Sequence, residues 1–323
     1  MSDTGSHRAE RITLARLPSG VPIETTVHVY EGFGDGPTVY VQAAQHGREV
    51  NGTEVLRRVH DRLDPDRLSG RVVAVPVADP LTFDRVSYTT PEQIDSVNPN
   101  MNRVWPGDSE GTLHQRMAAR LWEYAGDADA VIDLHTGSPE MLTHVVFMEG
   151  HEESRRLAEA FGTDLLLSER AGESAPEAWR TRGFDGKFRV AAAEAGIPAI
   201  TPELAHNKEI VEDAVRAGVE GVLNVLRELD MLSGTPQPSE PTLARNHLGS
   251  VDATDSGLFR PAPTRELGEH VAEGSRLGTV FDSTTYEPLQ FVETTRSGVL
   301  YALTKEATVK EGDRLGSVAI VRE

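Results

Sequence analysis

Over the first two-thirds of the chain, short apolar runs alternate with amphipathic segments, an order that points to an α/β domain with a substantially parallel sheet. TVYVQAA (38–44) reads as a strand, and NGTEVLRRVHDRL after it reads as a helix with Asn51 at its N-cap. RVVAVPVAD (71–79) is a second buried strand, followed by a helix near TLHQRMAARLWEYAG and by strands DAVIDLH (129–135) and THVVFM (143–148). EESRRLAEAFG and GKFRVAAAEAG are helical, IPAITPEL (197–204) is a strand, and EIVEDAVRAGVEGVLNVLREL is a long helix with apolar residues at helical spacing. The residues before Ile12 read as a polar tail.

The texture changes at SGTPQPSEPT (233–242), which is rich in Pro, Ser and Gly, lacks periodicity and reads as a linker. Beyond it, VAEGSRLGTV (271–280) and VKEGDRLGSV (309–318) match at most positions, and each follows a Gly-apolar-apolar start, Gly257-Leu258-Phe259 or Gly298-Val299-Leu300. Two copies of a β unit with a Gly turn suggest a small sandwich or barrel of related halves. The expected architecture is α/β, a mixed, largely parallel sheet flanked by helices over 1–232, with a small all-β domain over 243–323.

Composition narrows the function. With 323 residues and 38% apolar content, the chain can bury a core of this size. Neither a signal peptide nor the ~20 apolar residues of a membrane span can be found, so the cytoplasm is the expected location. A net charge of −19 argues against nucleic acid and anionic membranes as partners, because both repel such a surface. Only Lys187, Lys208, Lys305 and Lys310 are lysines, and this Arg bias with strong acidity points to a halophilic source. There is no cysteine, so any metal site must use His, Asp and Glu.

Among such residues, QHGREVNG holds a His46-x-x-Glu49 pair between an apolar strand and a helix. The spacing alone means little, since His7/Glu10, His28/Glu31, His206/Glu209 and His270/Glu273 share it. Those four read as solvated side chains, whereas His46 sits at a strand end of the α/β domain, where open sheets place ligands. His135, in VIDLHTG, ends another apolar strand. Strand alternation puts Asp133 on the same side, able to accept a hydrogen bond from the imidazole and set its tautomer. Two His and one Glu form a three-ligand set that leaves a fourth position for water, as catalytic zinc sites do. Glu203, in ITPELAHN, ends a third strand and suits a general base. In NPNMNRVWPG, Arg103 offers a bidentate grip on a carboxylate and Asn102 a neutral hydrogen bond, although a surface turn explains the pair equally well.

With HGREVNG, NMNRVWPG, DLHTG and TPELA in this order, the chain resembles the succinylglutamate desuccinylase/aspartoacylase family, a branch of the zinc carboxypeptidase-like fold. The resemblance covers nearly the whole chain. It implies one zinc ion per chain at His46, Glu49 and His135, substrate carboxylate binding by Asn102 and Arg103, and general acid/base work by Glu203. It also implies a C-terminal β domain packed near the opening of the site, a small N-acyl substrate, and amide hydrolysis; oligomerisation is left open. Family members usually carry an oxyanion-stabilising Arg before the Asn-Arg pair. Tyr88 falls about there in this chain, and Arg85 is the nearest substitute. The competing readings are a carboxypeptidase acting on peptides, a zinc-binding protein without activity, and a biotinyl- or lipoyl-like carrier. The carrier reading lacks a lysine at the turn between the repeat halves.

Overall fold

The structure is a computed structural model and describes residues 4–137, 140–237 and 240–321. Strands β1 (Ser6–Arg16) and β2 (Pro22–Glu31) form an antiparallel hairpin, followed by β3 (Phe33–Ala43), α1 (Asn51–Arg62) and β4 (Ser69–Val75). Next come α2 (Pro80–Phe83), α3 (Leu113–Ala125), β5 (Ala130–Gly137), β6 (Glu140–Met141), β7 (His144–Met148), α4 (Glu152–Phe161) and β8 (Leu165–Glu169). The α/β part closes with α5 (Glu177–Thr181), α6 (Phe188–Glu194), β9 (Ala199–His206) and α7 (Glu212–Glu228). The C-terminal strands are β10 (Thr242–Asp252), β11 (Gly257–Pro261), β12 (His270–Val271), β13 (Arg276–Phe281), β14 (Pro288–Glu293), β15 (Gly298–Leu303), β16 (Thr308–Val309) and β17 (Arg314–Val321).

Among the described residues one 13-stranded mixed sheet runs β1-β2-β4-β3-β5-β9-β7-β8-β10-β17-β15-β12, with β6 attached to β15. Its centre is parallel at β4-β3-β5-β9 and at β7-β8-β10. Central strands read as nearly unbroken apolar runs because both faces are covered. Val39, Val41, Ile132 and Leu134 pack under α1, α4 and α7, while Tyr40 and Val131 face α3 and α6.

The sequence reading needs four corrections. Asn51 does not cap α1; it is the first helical residue, with Val50 before it. Its side chain instead ties the helix start to the end of β9 and the approach to α7. Its Nδ2 donates to Leu204 O (2.9 Å) and His206 O (3.2 Å), and its Oδ1 accepts from Val211 N (2.9 Å). The polar tail contains most of β1, an edge strand whose first six residues are exposed, so apolar alternation never marks it. The strand begun at Arg71 starts at Ser69 and stops at Val75, because Pro76 lacks an N–H for the ladder. Residues 165–169, given no assignment from the sequence, form the buried β8.

The C-terminal repeat has a physical basis. Each copy places a strand, a Gly with positive φ (Gly274 at 78°, Gly312 at 87°) and a second strand in the same order. Equivalent positions Val271/Val309, Leu277/Leu315 and Val280/Val318 are buried in one core. The first copy contributes β12 to the large sheet and β13 to a separate four-stranded sheet, β14-β13-β11-β16; the second contributes β16 to the small sheet and β17 to the large one. Of the segment 233–242, residues 238 and 239 lie outside the described residues, and β10 begins at Thr242.

Candidate active site

Strand register assembles the centre of the site. In the parallel β5–β9 pair His135 lies opposite Glu203, and in the antiparallel β7–β9 pair His144 lies opposite Glu203. The chain leaves β3 through Ala44, held at φ 53°, and turns over His46–Glu49 into α1. A non-glycine residue in that conformation is uncommon, and here it aims the turn at the end of β5.

His46, Glu49 and His135 are all buried, and each offers a ligand atom within 4.8 Å of the others. Glu49 bridges the two imidazoles, Oε1 lying 2.9 Å from His46 Nδ1 and Oε2 2.9 Å from His135 Nδ1. The outer ring nitrogens are also held. His46 Nε2 is 3.2 Å from Asn100 Oδ1, and His135 Nε2 is 2.9 Å from Asp133 Oδ2. Asp133 in turn accepts from Gln42 Nε2 (3.0 Å) and Gln45 Nε2 (2.8 Å to Oδ2), while Trp105 Nε1 donates to Gln45 Oε1 (2.7 Å). Both imidazoles are thereby fixed with Nδ1 toward one point, the role of partners behind metal ligands.

This donor set fits zinc. Two imidazole nitrogens and a carboxylate suit a borderline ion in a protein without thiolates. Charge balance agrees, because two buried carboxylates, Glu49 and Asp133, surround two imidazoles, and buried anions require a cation, either a proton or a metal. Burial works to raise the Glu49 carboxyl, but His46 and His135 hold it far below the ordinary carboxylate range. Burial likewise opposes charge on His135, yet Asp133 and Glu49 raise it well above the ordinary imidazole value.

The cluster opens into a cavity of ≈ 250 Å³. Glu203 lines it, and burial raises its carboxyl to about 7, opposed by the charge on His135. Asn102 and Arg103 line it too. The Asn102 amide is largely engaged, Oδ1 accepting from Phe188 N at 3.0 Å and Nδ2 lying 3.3 Å from His135 Nε2. Arg103 lies over the Phe184 ring at 4.4 Å and donates from Nε to Arg182 O at 3.2 Å.

Arg85 is not brought into the site. It is exposed, and its Nη1 donates to Leu81 O at 3.1 Å, closing the end of α2. Tyr88 reaches the cavity instead, stacked on His46 at 4.0 Å between ring centroids with the Arg48 guanidinium 4.9 Å from its own ring.

Several lining groups escaped the sequence reading. Lys187 and Arg189 lie in the cavity wall against Glu169, which accepts from Lys187 Nζ (3.2 Å), from Trp179 Nε1 (2.7 Å) and from Arg189. Burial and the neighbouring Arg189 depress Lys187 to about 7. Lys187 carried a usable signal as one of four lysines, whereas Glu169 lies on the overlooked β8. Asn246, Tyr301 and Ser317 come from β10, β15 and β17, so the C-terminal strands complete the wall.

Fold and site together define an enzyme of the deacylase class, a hydrolase. The chain belongs to the succinylglutamate desuccinylase/aspartoacylase family, whose catalytic-domain model matches residues 35–229. The N-alpha-acetyl-L-2,4-diaminobutyric acid deacetylase of Halomonas elongata is 29% identical over 311 residues, 90% of this chain and 84% of that protein. A succinylglutamate desuccinylase/aspartoacylase from Rhodobacter sphaeroides matches with a TM-score of 0.82 at 25% identity, over 99% of this chain and 96% of that one. The product-bound ectoine utilization protein EutE (DoeB) of Ruegeria pomeroyi matches with a TM-score of 0.83 at 22% identity over the same shares, which establishes likeness of fold. Among the described residues no helix is long and apolar enough to cross a membrane.

Proposed function

We propose that this chain is a zinc-dependent deacylase that hydrolyses the amide bond of a small N-acyl amino acid in the cytoplasm. The observation that carries the reading is the convergence of His46, Glu49 and His135 on one point beside Glu203. His46, Glu49 and His135 would hold the zinc ion, which when bound would supply Lewis acidity to the amide carbonyl and acidify water. Glu203, with its carboxyl near 7, takes a proton from the attacking water and returns it to the leaving nitrogen, so that water and amide give a carboxylic acid and an amine. Arg103 grips the substrate carboxylate, with Lys187 and Arg189 extending the positive wall.

A peptide carboxypeptidase would use the same centre, but a cavity of ≈ 250 Å³ walled in part by Asn246 and Tyr301 favours a small substrate. The Halomonas elongata relative favours a short acyl group such as acetyl. We further read residues 1–232 as the catalytic unit and 243–323 as a β unit that narrows its mouth.

The test is release of free amine from N-acetyl, N-succinyl and N-formyl amino acids, with Nα-acetyl-2,4-diaminobutyrate among them, alongside elemental analysis. Turnover of at least one of them is expected, and His46→Ala and His135→Ala should lose both turnover and the zinc held at this centre. Full metal occupancy of this centre in both variants would overturn the ligand assignment.

A further inference from the structure

A second group of potential metal ligands lies outside the cavity. His7 on β1, His28 on β2 and His60 on α1 each offer a ring nitrogen within 4.8 Å of the others. The β1–β2 register sets His7 opposite Tyr30 and His28 opposite Ala9, so His7 and His28 share a face as diagonal neighbours. Helix α1 then brings His60 over that face, 4.9 Å from the His7 ring and 5.8 Å from the His28 ring. None of the three pairs with a carboxylate among the hydrogen bonds and ion pairs assigned to them, and Glu54 and Asp61 on the same helix are engaged by Arg57.

We propose that His7, His28 and His60 form a second binding site for a late first-row divalent ion, zinc, nickel or copper, which clips the edge strand β1 to α1. The geometry is suited to it. His7 Nε2 and His28 Nδ1 are 3.1 Å apart, and two nitrogens bound to one tetrahedral zinc at 2.0–2.1 Å lie about 3.3 Å from each other. An N–H···N hydrogen bond has the same length, but it joins only two of the imidazoles, whereas a shared ion also accounts for the approach of the His60 ring to both. His60 Nδ1 is 2.8 Å from Tyr30 Oη. In the tautomer in which His60 Nδ1–H donates to Tyr30 Oη, the lone pair of His60 lies on Nε2, the pattern that orients a ligating imidazole. Imidazole is the strongest ligand for such ions in a chain without cysteine. A cavity of ≈ 270 Å³ between α1 and the strands β2 and β4, lined in part by His28, Tyr30 and His60, leaves room for water beside these two imidazoles.

The test uses the full chain without an affinity tag, stripped with chelator and dialysed against zinc, with metal counted by elemental analysis. The wild type is expected to bind two ions. His7→Ala/His28→Ala should bind one and keep its hydrolytic activity, and His46→Ala/His135→Ala should also bind one. In that last variant Cu²⁺ should show nitrogen hyperfine coupling from imidazoles, lost on adding His60→Gln, which preserves hydrogen bonding. A wild type that binds one ion and loses it in His46→Ala/His135→Ala, or an undiminished count in His7→Ala/His28→Ala, overturns the proposal. An unchanged count in His46→Ala/His135→Ala would instead overturn the active-site reading and leave this one standing.

Discussion

At the scale of single residues, the proposed chemistry draws on carboxyl and amino groups moved away from their ordinary ionisation. Glu203→Gln keeps size and hydrogen bonding and removes basicity, so turnover should fall by ~100-fold or more. Metal content should stay at the wild-type level, because Glu203 is assigned to proton transfer and not to ligation. A variant with near-normal turnover would remove Glu203 from the mechanism. Lys187 permits a test by pH. Burial and Arg189 hold it at about 7 in the folded chain, below its unfolded value. The folded state therefore binds fewer protons than the unfolded one between those values, and its contribution to stability is present at high pH and lost as pH falls through about 7. Relative to Lys187→Met, the unfolding free energy of the wild type should rise by about 1.4 kcal/mol per pH unit over that window. Parallel urea-derived profiles for the two proteins would show that Lys187 stays charged.

At the scale of elements, the ligand turn between β3 and α1 is pressed against α2. A Cβ on Gly47 would lie 1.9 Å from Thr82 O, so the backbones of turn and helix cannot both stay in place. Gly47→Ala should cost about 1–3 kcal/mol, the range for overpacking, and should weaken metal binding as His46 and Glu49 shift together. Chemical denaturation and a zinc titration read the two effects. Loss of stability with unchanged affinity would mean that the ligands are held from β5 alone. This contact was not legible in the sequence, where Gly47 is simply part of HGREVNG. The strands that lead to His46 and carry His135 and Glu203 were legible, because burial on both faces leaves long apolar runs. β1 was not, since an exposed edge strand carries little hydrophobic pattern.

At the scale of the whole molecule, the net charge of −19 predicts stability that depends on salt. Screening shortens carboxylate repulsion to ~3 Å at 1 M, so the midpoint of thermal unfolding should rise from low to molar salt. An unchanged midpoint would contradict the halophilic reading.

The sequence by itself determined the alternation of strands and helices, the repeat with its Gly turns, the place of His135 and Glu203 near strand ends and that of His46 and Glu49 between a strand and a helix, because periodicity and punctuation are local properties of the chain. Only the tertiary structure decided which groups meet. It put Tyr88 rather than Arg85 against His46, and brought Lys187, Arg189 and Tyr301 to the cavity wall. It also gathered His7, His28 and His60, which the shared His-x-x-Glu spacing had marked in part as solvated surface. The physical reason is that strand register and helix placement follow from burial summed over the entire sheet, and no local window of residues contains that sum.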